Sequence, residues 1–496
     1  MSAHTKAKAT TTVTDTGIRL QPDHARVITR LFVAGREEVG PGDSRASSVI
    51  QRVLDLTELE VEQSLADLDE RFAFRHRRLH DTFRQHADMV IGRLDGQADL
   101  LSAARRLLLG AAFTHEYSIE GAALCNPSAV PFGATDADGS ATFVLSVRGV
   151  GEGHRSSIGF RTGAVSADGT VRLDRPAPFP MMGVGTPAPH DRAVFHAKLA
   201  EIDDDRENAA FVLDTLQEQF DDTQLADRIT ALEADAATRR NTETTVRHLR
   251  EIAASSYAVE FPAASFISER VLWPQAPAEQ HGMEDARFVR FVGDDGAVTY
   301  YATYTAFDGF NIAQHLLHTD DFRTFRAAPL AGPAAVGKGL ALFPRKVGGR
   351  YVALSRSDRE SNTVAFSDDM LCWQEALPLQ TPTQPWELLQ LGNCGSPIET
   401  EHGWLVLTHG VGAMRTYSMG ALLLDLHHPE RVLARSLEPL LTPGRDLRDG
   451  YVPNVVYSCG GFTHGDTLVL PYGIADQSIA IATLSVTELI GSMHRE

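Results

Sequence analysis

The stretch "TDDFRTF" at residues 319–325 returns as "SDDMLCW" at 367–373. Each has a hydroxyl residue, two aspartates and a closing aromatic. This is the pattern of a tight polar turn, because short oxygen-bearing side chains can hydrogen-bond to nearby main chain. Each turn follows two β-rich runs, "VTYYATYTAFDG" and "IAQHLLH" before the first, "GRYVALSRSD" and "TVAF" before the second. The strand–loop–strand layout recurs at 141–169, 403–426 and 466–486. Five such copies at loosely regular spacing suggest a repeat architecture. They predict a mainly β protein, a five-bladed β-propeller carrying an N-terminal helical segment and a helical insertion. A pair of β-sandwiches is the alternative, but it gives no reason for similar turns in successive copies.

Two segments break the β pattern. From about residue 44 to 113 the spacing is helical, and "TELE" at 57–60 is a capping-box signature. From about 193 to 255 no glycine or proline interrupts the chain, which predicts long helices. The expected organisation is a disordered tail over 1–20, a helical extension over 21–113, and a catalytic β domain over 114–490 with the insertion at about 193–255. Packing or self-association is the expected role of the helical parts, so a homo-oligomer is an expectation.

The 496 residues are 43% apolar and 22% charged, the balance of a soluble globular chain, and the formal net charge is −19. That charge opposes phosphate backbones and anionic membranes, so nucleic acid and membrane are not expected as partners. The polar, Thr-rich start lacks the apolar core of a signal peptide, and no apolar run is long enough to span a bilayer. A cytoplasmic protein is expected. Cys125, Cys372, Cys394 and Cys459 form no C-x-x-C pair and are expected as reduced, mostly buried thiols. A thiolate nucleophile at Cys394 or Cys459 has no adjacent His to support it.

Polar residues cluster beside strands in every copy: Asn126, Ser128, Arg148, His154 and Arg155; then Glu284, Asp285 and Arg287; then Lys338, Ser355, Arg356 and Glu360; then Asn393 and His409; then Asn454 and Asp476. Any one of them is ordinary surface or turn chemistry. Their recurrence once per copy raises the functional reading, because the inner loops of a propeller converge at one end of its channel.

In order, "CNPSAV", "VRGVG", "SSIGF", "MEDARF", "ALFPRK", "GWLVLTHGV", "GALLLDL", "YVPNVVYSCG" and "PYGIAD" resemble glycoside hydrolase family 130. The resemblance covers about 120–180 and 260–490. It implies a five-bladed propeller that cleaves β-mannosides with inversion, by phosphate in most members and by water in some. It implies that Asp285, in "EDAR", is the general acid, reaching the glycosidic oxygen through a sugar hydroxyl. Ala286 stands where the family usually has Pro. Asn126, Ser128, Arg148 and Asp476 are implied as mannosyl contacts, and Lys338 as a residue near substrate or phosphate. Asn393 and His409 are weaker carry-overs.

An alternating strand would put Glu284 opposite Asp285, as scaffold, and Arg287 on Asp285's side, to bind a substrate oxyanion or keep Asp285 oriented. Arg155, Lys338, Arg356 and His409 are the candidate phosphate ligands, with Arg359 and Arg415 near the rim. Phosphorolysis to mannose 1-phosphate is the favoured reading, with inorganic phosphate as co-substrate and a β-mannoside oligosaccharide as partner. Ser355 replaces a His that phosphorylases carry before this Arg, and Glu360 or Glu387 could instead serve as a base for water. An inverting mannosidase and a non-catalytic sugar-binding propeller are the alternatives. No cofactor or metal is expected, since no metal-spaced cluster, P-loop or dinucleotide fingerprint occurs.

Overall fold

The computed structural model describes residues 12–33, 45–92, 101–235 and 239–496. The chain is mainly β and divides into two compact units, one of residues 23–121 and 177–182, the other of the remaining chain.

The larger unit holds five antiparallel meanders. The first runs through strands Ala123–Pro131, Ala141–Val150 and Ser156–Val165. The second runs through Gly282–Val292, Val298–Phe307, Ile312–Thr319 and Thr324–Pro329. The third comprises Ala341–Leu342, Tyr351–Ser355, Asn362–Ser367 and Glu375–Gln380. The fourth is built on Gln390–Asn393, Gly403–Gly412, Thr416–Leu424 and Val432–Arg435. The fifth is built on Val456–Tyr457, Thr467–Ile474 and Ser478–Ser485.

The repeated turn has the same anatomy both times. Thr319 Oγ1 accepts from Phe322 N, and Asp321 Oδ1 accepts from Arg323 N and Thr324 N. Ser367 Oγ accepts from Met370 N, and Asp369 Oδ1 accepts from Leu371 N and Cys372 N. The residue after each Asp pair is left-handed, Phe322 at φ 55° and Met370 at φ 69°. The side-chain bonds hold a backbone that apolar residues rarely adopt. The strain turns Phe322 inward, where it meets Phe160 and Phe288 with ring centroids 5.6 Å away in both cases.

Successive meanders share cores and hydrogen bonds. Phe160 and Phe288 join the first to the second, and Val289 and Phe291 pack with Leu340, Ala353 and Trp373 of the third. Val352 and Leu354 pack against Trp404 and Val406, and Leu405 and Met419 against Leu468 and Tyr472. Val469 and Ile481 of the fifth then pack against Leu124 and Phe143 of the first. Main-chain bonds follow the same circuit: Val292 N to Pro344 O, Leu391 N to Glu360 O, Tyr417 N to Asn454 O, and Cys459 N back to Pro127 O.

Two local expectations are corrected. Residues 1–11 lie outside the described residues, but the rest of the expected tail is not disordered: Thr14–Leu20 is a strand paired with Ser478–Ser485. Thr16, Ile18 and Leu20 form its half-buried face, and the Thr-rich composition hid that alternation. The 193–255 segment is not made of long helices. Among the described residues it is four short ones, Arg192–Glu201, Arg206–Leu213, Asp222–Ala234 and Thr242–Ala253. Asp191, Asp205 and Asp221 cap the first three, so acidic clusters end and restart the helix where no Gly or Pro does.

The smaller unit pairs Val27–Leu31 with Thr114–Ser118 and packs four helices, Arg45–Asp55, Glu58–Phe72, Leu79–Ile91 and Ala103–Ala112. The expected capping box at Thr57 and Glu60 forms. Gly110 lets the last helix touch the third, since a Cβ there would sit 1.7 Å from Phe83 O. Gly110→Ala is expected to cost about 1–3 kcal/mol through forced separation of those helices. Thermal unfolding followed by circular dichroism checks this, and an unchanged melting temperature would contradict the close crossing.

Candidate active site

The first strands of the first and second meanders share one local device. Cys125 pairs with Arg148 and Ser128 with Ser146, so three steps on one strand face two on its partner. Glu284 pairs with Thr305 and Arg287 with Thr303, giving the same bulge. Asn126 and Asp285 occupy equivalent places in the two bulges, both left-handed, at φ 48° and 55°. Asn and Asp tolerate this conformation better than other side-chain-bearing residues. A bulge re-aims side chains, and here it delivers both residues to one cavity. Asp476 arrives from a hairpin tip, also at φ 48°.

The bulge corrects the alternation expected for Glu284 and Asp285. Both carboxylates reach Arg148, which donates from Nη2 to Glu284 Oε1 at 2.6 Å and from Nη1 to Asp285 Oδ1 at 3.3 Å. Glu284 also accepts from Lys338 Nζ at 2.7 Å. Arg287 is buried, donating to Asp285 O at 2.9 Å and to Tyr457 OH at 2.8 Å. Asn126 Nδ2 donates to Asp285 Oδ1.

These groups, Glu284 excepted, wall a cavity of about 230 Å³. It brings together Asn126, Arg148, Asp285, Arg287, Lys338 and Asp476, with Arg356, Asn393 and His409. Gln390, Arg415, Tyr417 and Tyr457 also line it. Of these, Gln390, Tyr417 and Tyr457 escaped sequence reading. Tyr457 lies in the quoted "YVPNVVY", and nothing in the pattern separates it from a core tyrosine. Neither amide atom of Asn393, nor the carbonyl oxygen of Asn126, has a protein partner among the described residues. Buried amides left open in a polar cavity suit a hydroxylated ligand.

Several sequence candidates fall elsewhere. Ser128 is fully buried and does not line the cavity; its Oγ accepts from Phe288 N at 3.0 Å and ties two meanders together. Arg155 is not in the wall, and its guanidinium lies over the Trp273 ring. Arg359 and Glu360 are also outside the wall. Glu387 is buried in a turn, where its carboxylate accepts from Thr383 N and Gln384 N. The Glu387 carboxylate is committed to that turn. Ser355 is buried and donates to Ala334 O at 2.5 Å.

His409 differs from a cationic phosphate ligand. Its ring stacks on Tyr417 and meets Tyr457 edge-on, and burial, with Arg356 and Arg287 nearby, pushes its pKa well down. Arg356 Nη1 lies 3.2 Å from His409 Nε2. A guanidinium can only donate, so Nε2 accepts and the neutral ring carries its proton on Nδ1. His409 therefore holds Arg356 in place.

The carboxyls are held in different states. Burial works against charge on Asp285, but Arg148, Lys338 and Arg287, with the Asn126 amide, outweigh it and lower its pKa. Burial dominates at Asp476, aided by the negative charge of Asp285, and its pKa rises to about 6. Cys125, Cys394 and Cys459 are buried near these groups, and burial raises all three thiols, Cys394 to about 12. They are not thiolate nucleophiles at neutral pH. No group of side chains suited to a metal occurs among the described residues. No described helix is long and apolar enough to cross a membrane.

A cationic, carboxylate-bearing cavity at the inner ends of β-meanders is the kind of site that binds polar, anionic or hydroxylated small molecules. Comparison with known proteins narrows the class. The family model described as beta-1,4-mannooligosaccharide phosphorylase, glycoside hydrolase family 130, matches residues 239–495, just over half of the chain. The chain belongs to that family. It is 34% identical over 250 residues to a 1,2-beta-oligomannan phosphorylase of Thermoanaerobacter sp. (strain X514), an alignment covering 47% of this chain and 79% of that protein. It is also 34% identical over 235 residues to a beta-1,2-mannobiose phosphorylase of Listeria innocua, covering 45% of this chain and 64% of the other. The solved structure of a Listeria innocua beta-1,2-mannobiose phosphorylase with beta-1,2-mannobiose superposes with a TM-score of 0.44 at 22% identity, over 76% of this chain and 93% of that one. The span matched by the family model begins after Asn126 and Arg148, so their place in the cavity comes from the fold alone.

The raised Asp476 pKa has a stability consequence. The folded state binds the extra proton between the ordinary Asp value of 3.8 and about 6, so stability falls as pH rises through that window. The loss is on the order of 3 kcal/mol. Asp476→Asn is expected to melt higher than the parent at about pH 7.5 and to converge with it near pH 4. A pH series of thermal melts tests this, and a variant less stable at the higher pH would contradict it.

Proposed function

We propose that the protein is an inverting β-mannoside phosphorylase, which cleaves a β-mannosidic bond with inorganic phosphate to give mannose 1-phosphate and a shortened acceptor. The observation that carries this reading is the cavity's charge. Arg148, Arg287, Lys338, Arg356 and Arg415 are gathered around Asp285 and Asp476. Guanidinium groups suit phosphate oxygens, which accept paired hydrogen bonds. The family relatives named as mannoside phosphorylases point the same way.

In this reading the five meanders are the blades of a propeller, supported by the circuit of hydrogen bonds that returns from Cys459 to Pro127. The blades form the catalytic domain, with the four helices of 192–253 as an insertion. Asn126, Arg148, Asn393 and Asp476 hold the mannosyl hydroxyls. Arg356, Lys338 and Arg287 hold phosphate, and His409 positions Arg356. A phosphate oxygen attacks the anomeric carbon from the face opposite the leaving oxygen, and the bond to the acceptor breaks. The acceptor oxygen takes a proton that originates on Asp285, relayed through a sugar hydroxyl. The helical parts are surfaces for self-association.

One observation favours a second reading. Asp476, raised to about 6, has the pKa of a general base, and inverting hydrolysis would use it to activate water. A product assay with β-1,2- and β-1,4-mannobiose, with and without phosphate, separates the two. Phosphate-dependent mannose 1-phosphate is expected, and free mannose released at the same rate without phosphate would overturn phosphorolysis. Asp285→Asn is expected to lower kcat by about 10²–10⁴-fold. Arg356→Ala is expected to raise KM for phosphate well beyond any change in KM for the mannoside, and steady-state kinetics varying each substrate reads the split.

A further inference from the structure

A general acid must carry a proton before it can give one, and the protein groups around Asp285 hold its carboxyl ionised. The cause is visible in its surroundings. From the first meander come the Asn126 amide and the Arg148 guanidinium, both donating to Oδ1. On its own strand, Glu284 is occupied by Arg148 and Lys338, and Arg287 is tied to Asp285's own carbonyl. The same cavity is lined by Arg356 and a neutral His409, and by Arg415, Tyr457 and Asp476. Counting Glu284 behind the wall, five cations face three carboxylates, an excess of two positive charges. A phosphate dianion carries two negative charges.

We propose that phosphate is itself what turns Asp285 into an acid: once the anion pairs with these cations, Asp285 takes one proton from solvent. The inference rests on the phosphorolytic reading and adds to it an order of events. No proton is available to the glycosidic oxygen until the nucleophile is seated, so water entering the open cavity meets a site without its acid. The proton taken up at Asp285 later leaves with the acceptor oxygen, as the phosphate oxygen bonds to the anomeric carbon. That transfer leaves Asp285 ionised again, and release of mannose 1-phosphate and the acceptor returns the site to its starting state. Asp476 faces the same cavity and is the rival proton acceptor, so the experiment must tell the two carboxyls apart.

Sulfate serves as the probe, because it stays a dianion from mildly acid to mildly alkaline pH and contributes no proton of its own. Calorimetric titration of the full-length protein near neutral pH, in buffers of different ionisation enthalpy, counts protons exchanged per anion bound. Uptake of about one proton per sulfate is expected. Asp285→Asn should still bind sulfate but lose the uptake, and Asp476→Asn should keep it. Binding without proton uptake in the parent overturns the inference and leaves phosphorolysis standing. Uptake that survives Asp285→Asn but vanishes in Asp476→Asn also overturns it, by assigning the proton to the wrong carboxyl. If sulfate does not bind, the titration is repeated with inorganic phosphate, corrected for its own second ionisation. Failure of both anions to bind sinks the phosphorolytic reading, and this inference with it.

Discussion

Glu284 is the residue on which the cavity depends. Its carboxylate is buried and takes Arg148 on one oxygen and Lys338 on the other, at 2.6 and 2.7 Å. Two cations from different meanders are thereby fixed at their working positions. A buried charge is costly unless paired, so these partners cannot swing away without leaving Glu284 alone in a poorly solvated place. Arg148 is then shared with Asp285, so the electrostatics of that carboxyl depend in part on Glu284. The bulge makes this sharing available, because a regular strand would have sent the two acids to opposite faces.

Much of this was legible in the sequence, and the misses have physical causes. The repeated Asp-rich turns marked the meanders because the turn is held by its own side chains, a local cause that local sequence records. Many of the recurrent polar residues, among them Asn126, Arg148, Asp285, Lys338 and Asp476, line the cavity, whereas Ser128, Arg155 and Glu360 do not. Alternation failed at Asp285 because one extra residue in a bulge reverses every later side chain, and "EDAR" carries no sign of the insertion. The family resemblance implies a sugar contact at Ser128, yet its hydroxyl joins two strands. Arg155 and Glu387 were misplaced because their partners, the Trp273 ring and two main-chain N–H groups, are set by tertiary packing and by a tight turn. His409 needed the structure most. Only its geometry against Arg356 shows that the ring accepts rather than donates.

The two bulges also explain why Ala286 can stand in "EDAR". The equivalent place in the first meander is Pro127, between Asn126 and Ser128. Both residues sit where the ladder skips a step, and proline fits because it has no N–H to lose. Alanine keeps the same path, so the carboxylate is delivered without the ring.

The helical insertion joins the body in a way that bears on how such a chain can change. Strands Val184–Pro187 and Tyr257–Glu260 are antiparallel neighbours, with Pro187 opposite Tyr257. Everything between them occupies the place of a hairpin's turn. The four helices bury Phe195, Leu213, Leu232 and Leu249 in a core of their own. A segment with adjacent ends and a private core can be gained, lost or exchanged as a cassette while the strand register on either side stays as it is. Change of length can therefore accumulate at this hairpin while the cavity, none of whose walls comes from residues 184–260, keeps its lining.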